Sequence, residues 1–122
     1  MYSARRILVS MKASTRQVQD VTIIDLSGQI KLGEGSSVLR DTVKDLLGKG
    51  HRKILVNLAE ITYIDSSGIG ELISAFTSAR SRGGELKLLH LTKKIHDLLQ
   101  ITKLYTVFDV KDDEVQALAA FK

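Results

Sequence analysis

Three features of the sequence predict an α/β domain built on a mixed, mostly parallel sheet of about four to five strands. Two β-rich runs near the start are separated only by Gln19-Asp20, the pattern of a hairpin. From Val38 onward, stretches of helical apolar spacing alternate with short β-branched runs. No proline, low-complexity tract or internal repeat interrupts the 122 residues, so a single domain is expected.

The elements follow in order. Ala13 to Val18 pairs with Val21-Thr22-Ile23-Ile24-Asp25-Leu26, a β-branched strand that Ser27-Gly28 is expected to end. Val38, Leu39, Val43, Leu46 and Leu47 mark one helix, with Gly48 as its C-cap. Lys53 to Leu58 is a short apolar run suited to a strand covered on both faces. Ile69, Leu72, Ile73, Phe76 and Ala79 form the next helical face, and Gly83-Gly84 stops it. Leu86 to Leu91 reads as a strand, and Thr92 caps a short helix carrying Ile95, Leu98 and Leu99. Thr106 to Asp109 reads as a last strand. Asp112, Asp113 and Glu114 then put acid at the start of a final helix, where the dipole favours it.

Composition narrows the function classes. Apolar residues at 43% and charged residues at 26% are those of an ordinary globular chain. The absence of cysteine removes disulfides, thiolate metal sites and cysteine nucleophiles together. A net charge of +4 is mild and spread along the chain, and none of the three tyrosines and three phenylalanines sits inside a basic cluster, which argues against nucleic acid as a partner. Arg5 and Arg6 precede only Ile7-Leu8-Val9, too short for a signal peptide, and no apolar run is long enough to span a bilayer. A cytoplasmic protein without direct membrane insertion is expected.

The unusual stretch is Tyr63-Ile64-Asp65-Ser66-Ser67-Gly68-Ile69-Gly70, at a strand-to-helix junction. Aspartate and serine are ordinary helix starters. Two glycines in the first turn are not, since each costs up to about 1 kcal/mol against alanine in a helix interior. Gly68 and Gly70 are expected to clear the outer surface of that turn so that another backbone can approach a protruding hydroxyl. A serine nucleophile would need a base such as His51, His90 or His96, and no Gly-x-Ser-x-Gly elbow surrounds Ser66. Neither a Walker lysine nor a dinucleotide fingerprint follows the glycines, and Gly33-Glu34-Gly35 is weaker still. Asp109, Asp112, Asp113 and Glu114 match no calcium loop. No catalytic residue, cofactor or metal is therefore assigned.

Taken together, Ile54 to Leu58, Tyr63 to Gly70, the Val-x-Ile-x-Asp-Leu-x-Gly stretch from Val21 to Gly28, Gly83-Gly84 and Leu86-Lys87-Leu88 closely resemble the STAS domain family, in its bacterial anti-sigma factor antagonist branch. The likeness covers about Met11 to Phe121. It implies a single STAS domain over 11–122, with residues 1–10 as an N-terminal extension and about four helices packed mainly on one face of the sheet.

By that resemblance the protein is a partner-switching regulator. Unphosphorylated, it binds an anti-sigma factor that is also an ATP-dependent serine kinase, and so frees the sigma factor. Phosphorylation of Ser66 inactivates it, and a metal-dependent serine phosphatase reverses this. Asp65, Ser67, Gly68 and Gly70 would shape the turn around the acceptor. The loop from about Gly28 to Gly35 would complete the docking face, with Gly28, Gln29, Lys31, Gly33 and Ile69 as partner-binding residues. Many relatives carry an acidic residue at the position of Lys31, which bears on which kinase is recognised. A monomer or weak dimer is implied. The same domain also serves as a small subunit of lipid-transport ATPase complexes, where phosphorylation would be incidental, and a small hydrolase using Ser66 or Ser67 is a third class.

Overall fold

The computed structural model describes residues 11–121. Strands β1 (Met11–Val18) and β2 (Val21–Ile30) form an antiparallel hairpin, with Gln19 at φ +57° in the turn. Helix α1 (Glu34–Gly48) leads to β3 (Lys53–Ile64), and α2 (Ser66–Ser81) to β4 (Glu85–Leu89). Helix α3 (Lys93–Ile101), β5 (Val110–Lys111) and α4 (Glu114–Ala120) complete the described chain. The sheet order is β1-β2-β3-β4-β5, and every pair after the hairpin is parallel. The predicted mixed, mostly parallel sheet is therefore the observed one.

Helices α1, α2 and α3 cover one face, where Leu39, Val43, Leu72, Ala75, Ile95 and Leu99 pack with Ile24, Ile54, Val56 and Leu88. Helix α4 covers the other, Ala117 joining Ile23, Leu55 and Leu89. Burial on both faces explains the nearly continuous apolar runs of β2 and β3. On the α4 side, Arg16 ties three elements together: its Nε lies 2.6 Å from Asp25 Oδ2 and its Nη2 2.7 Å from Glu114 Oε1. Asn57 donates to the same Asp25 carboxylate at 2.8 Å. Arg16, and then Asn57, hold that carboxyl below its ordinary range.

Several boundaries differ from the sequence reading. Strand β2 does not end at Ser27-Gly28 but continues to Ile30 through register shifts at Asp25/Ser27 and Gly28/Gln29, with Gly28 at φ +108°. The glycine lies at a register shift whose extra residue is on β3, and it does not end the strand. Strand β3 likewise runs on to Ile64, pairing Gln29 with Tyr63 and Ile30 with Ile64. Gly48 is the last residue of α1; Lys49 is the C-cap and Gly50, at φ +96°, turns the chain. Strand β4 closes at Leu89, two residues early, because His90 adopts φ +57°.

Thr106 to Asp109 forms turns, and the last strand is the shorter Val110–Lys111. The apolar run there serves to bury one ring. Phe108 is 2% exposed and meets Phe76 edge to face at 5.5 Å. Phe108→Ala is expected to lower unfolding free energy by about 3–5 kcal/mol in urea titrations. Val107→Ala at its half-exposed neighbour should stay within about 0.5 kcal/mol of wild type; equal losses would restore the strand reading.

Candidate functional site

The parallel pairing of β2 with β3 brings their C-terminal ends side by side, so the loop Lys31–Gly33 lies beside the start of α2. Asp65 is the N-cap of α2 and joins the two. Its Oδ1 accepts from the Gly68 N–H at 2.9 Å and its Oδ2 from the Leu32 N–H at 3.3 Å. Its own N–H donates to the Ile30 carbonyl at 3.3 Å. The Gly68 N–H, followed by that of Leu32, keeps this carboxyl below the ordinary aspartate value of 3.8, against a smaller opposing effect of desolvation.

A second link runs beneath the first. The Ser36 N–H and Oγ each donate to the Lys31 carbonyl at 3.0 Å. With its single proton used there, the buried Ser36 hydroxyl accepts from Ser67 Oγ at 3.1 Å. Thus Asp65 and Ser67, on either side of Ser66, are both bound to the β2–α1 loop or to the residue that pins it. Ser66 itself is exposed, and its hydroxyl holds no hydrogen bond among the described residues.

The two glycines of the motif have opposite roles. A Cβ on Gly68 would sit 2.2 Å from the Ile30 carbonyl oxygen and 2.6 Å from Ile64 Cγ1. Gly68 therefore does not clear the outer surface; it lets α2 settle onto the ends of β2 and β3. Gly70 faces open space and is exposed, as the sequence reading required of both.

The residues expected to complete a docking face are distributed unevenly. Lys31 and Gly33 are exposed in the loop, Gly33 at φ +102°. Gly28 and Gln29 are part-buried members of β2 rather than loop residues. Ile69 is 7% exposed and belongs to the core beneath the turn. Gly35 is buried in the first turn of α1, where a Cβ would meet the Gln29 carbonyl at 2.2 Å. Sequence reasoning missed Leu32, Ser36 and the pairing of Ser36 with Ser67. Leu32, in an otherwise polar and glycine-rich connection, was the available signal for the first; nothing in the spacing marks the hydroxyl pair.

The histidines are placed elsewhere. His51 Nδ1 lies 2.9 Å from Thr22 Oγ1, His96 packs edge to face on Tyr105, and His90 follows β4. None is hydrogen-bonded to Ser66 or Ser67. Among the described residues no group of three or more His, Cys, Asp or Glu side chains is arranged to hold a metal ion, and no helix is long and apolar enough to cross a membrane. The acids near the C-terminus pair with neighbours: Asp109 with Lys87 and Lys111, Glu114 with Arg16, while Asp113 caps α4.

Two predictions follow from this geometry. Gly68→Ala forces a methyl against backbone and should destabilise by about 1–3 kcal/mol in urea unfolding, whereas Gly70→Ala should stabilise α2 by up to about 1 kcal/mol. Because Asp65 is depressed in the folded state, its contribution is fully present above the ordinary aspartate value and is lost as pH falls through the lower folded one. The Leu32 and Gly68 amide resonances should therefore titrate together with a midpoint below 3.8. Separate midpoints for the two amides would show that one carboxylate does not bind both.

The comparisons with known proteins agree with this fold. The STAS domain family profile matches residues 12–117. The Anti-sigma F factor antagonist of Paenibacillus polymyxa is 26% identical over 98 residues, 80% of this chain and 84% of the relative. The Anti-sigma-B factor antagonist of Bacillus subtilis is 28% identical over 104 residues, covering 85% and 90%. Among solved structures, the Bacillus anti-sigma factor antagonist SpoIIAA in its unphosphorylated form superposes with a TM-score of 0.68 at 16% identity, over 88% of this chain and 94% of that one. Its phosphorylated form gives the same TM-score at 17% identity, over 88% and 97%. With an α/β sheet of the same architecture and a profile match across nearly its whole length, the chain belongs to the STAS domain family.

Proposed function

We propose that this protein is an anti-sigma factor antagonist controlled by phosphorylation of Ser66. Unmodified, it binds an anti-sigma factor with ATP-dependent serine kinase activity in the cytoplasm and so releases the sigma factor. The observation that carries the reading is the state of Ser66: exposed and unengaged, between two residues that are held in place. The names of the relatives and the two solved states of SpoIIAA support the same role.

In this scheme Ser66 Oγ attacks the γ-phosphorus of ATP, its proton passes to a base on the kinase, and ADP leaves. A metal-dependent serine phosphatase returns the hydroxyl by hydrolysis, releasing inorganic phosphate. The chain itself is a binding switch rather than an enzyme. Phosphorylation adds about −1.5 to −2 charge and three acceptor oxygens. At the N-terminus of α2 the helix dipole tolerates that charge, so the fold survives. Inside a fitted interface the same charge lacks a partner, and a penalty of roughly 3–4 kcal/mol weakens binding several-hundredfold.

The test begins with Ser66→Ala as bait in cells of origin, followed by purification of any captured protein that phosphorylates wild-type Ser66 with ATP. In calorimetry, wild type and Ser66→Ala should bind that kinase alike, while Ser66→Asp folds normally and binds at least a hundredfold more weakly, in line with the several-hundredfold estimate above. Equal affinity for wild type and Ser66→Asp would refute the switch. Capture of a membrane ATPase, with Ser66 unmodified in growth and under stress, would replace it with a constitutive transport-complex subunit.

A further inference from the structure

We infer that Leu32 is the apolar anchor of the docking face, seated in an apolar pocket of the serine kinase beside the site that receives Ser66. The inference rests on the proposed switch and names a residue that determines its specificity.

Leu32 is 80% exposed. A single exposed leucine is unremarkable; its support is not. Its N–H is held by Asp65 at 3.3 Å, the residue immediately before Ser66. The preceding carbonyl, of Lys31, accepts from both the N–H and the Oγ of Ser36 at 3.0 Å. The following carbonyl, of Gly33, accepts from the Ser37 N–H at 3.0 Å, while Gly33 takes the φ of +102° that this tight connection requires. A loop tip whose backbone is bound on both sides of the leucine presents that side chain from a fixed backbone, and so loses little backbone entropy on docking.

Placement points to the occupant. With the Leu32 N–H 3.3 Å from the carboxylate of Asp65, the residue before Ser66, this exposed leucine stands at the end of the fold that a protein bringing a phosphate donor to Ser66 approaches. Tyr63, 40% exposed, precedes Asp65 by two residues, with Lys94 Nζ 5.7 Å from its ring centroid. Leu32 and Tyr63 are thus two accessible apolar groups attached to the ends of the polar turn, one through the Asp65 hydrogen bond and one through the chain. Leu32 has no corresponding duty in this chain, since it is absent from both core clusters.

The test uses the full chain and the purified kinase that phosphorylates Ser66. Leu32→Ser should weaken calorimetric binding by about ten- to a hundredfold, the range for losing a buried leucine side chain. Its thermal midpoint should equal that of wild type, because the side chain is outside the core. Leu32→Met should restore affinity to within about threefold of wild type, since volume and polarity are kept. Wild-type affinity for Leu32→Ser together with weakened binding by Ser66→Asp would overturn the anchor and leave the switch intact. Wild-type affinity for both variants would overturn the two together.

Discussion

One carboxylate organises the functional end of this molecule. Asp65 accepts from an N–H of its own helix and from an N–H of the loop that follows β2. Helix caps usually satisfy only the helix they start. Here the cap also fixes the position of a loop remote in sequence, so the start of α2 and the tip of the β2–α1 connection behave as one surface. Ser36 and Ser67 repeat the link below it, between a buried and a part-buried hydroxyl.

That arrangement depends on how closely α2 can approach the strand ends. Gly68 lies against the Ile30 carbonyl, and any side chain there would lift the helix and separate Asp65 from Leu32. Gly35 does the same for α1 against Gln29. The register shifts serve the same end: at each of them β3 takes one residue more than β2, so that Ile30 and Ile64 stand side by side. Backbone contact between elements, rather than flexibility, is the reason for these glycines.

A rigid surface suits a switch based on charge. If the loop and helix start were loose, a phosphate on Ser66 could be accommodated by local movement, and its effect on a partner would be diluted. With the two held as they are, the proposed modification would fall on a fixed surface, and its desolvation would have to be met by the partner. The proposed role of Leu32 follows the same logic, with an apolar contact and a modifiable hydroxyl presented at a set separation by the same carboxylate.

Much of this was legible in the sequence, and for a physical reason. Periodicity reports burial, so the hairpin, the alternation of strands and helices and the helix beginning at Ser66 could be read from which residues avoid water. A helix cap among Asp65, Ser66 and Ser67 and a hydroxyl exposed on that turn are consequences of local chain geometry, and local geometry is written in neighbouring residues; which of the three is the cap was not. Contacts between distant segments are not. That Gly28 lies opposite a bulge in β3, that Phe108 anchors a turn rather than a strand, and that Gly68 faces inward while Gly70 faces out depend on what lies across the gap from each residue. The bond from Leu32 to Asp65 spans 33 positions. Only the parallel register of β2 and β3 creates it, because hydrogen bonding between strands, and not sequence distance, decides which ends meet.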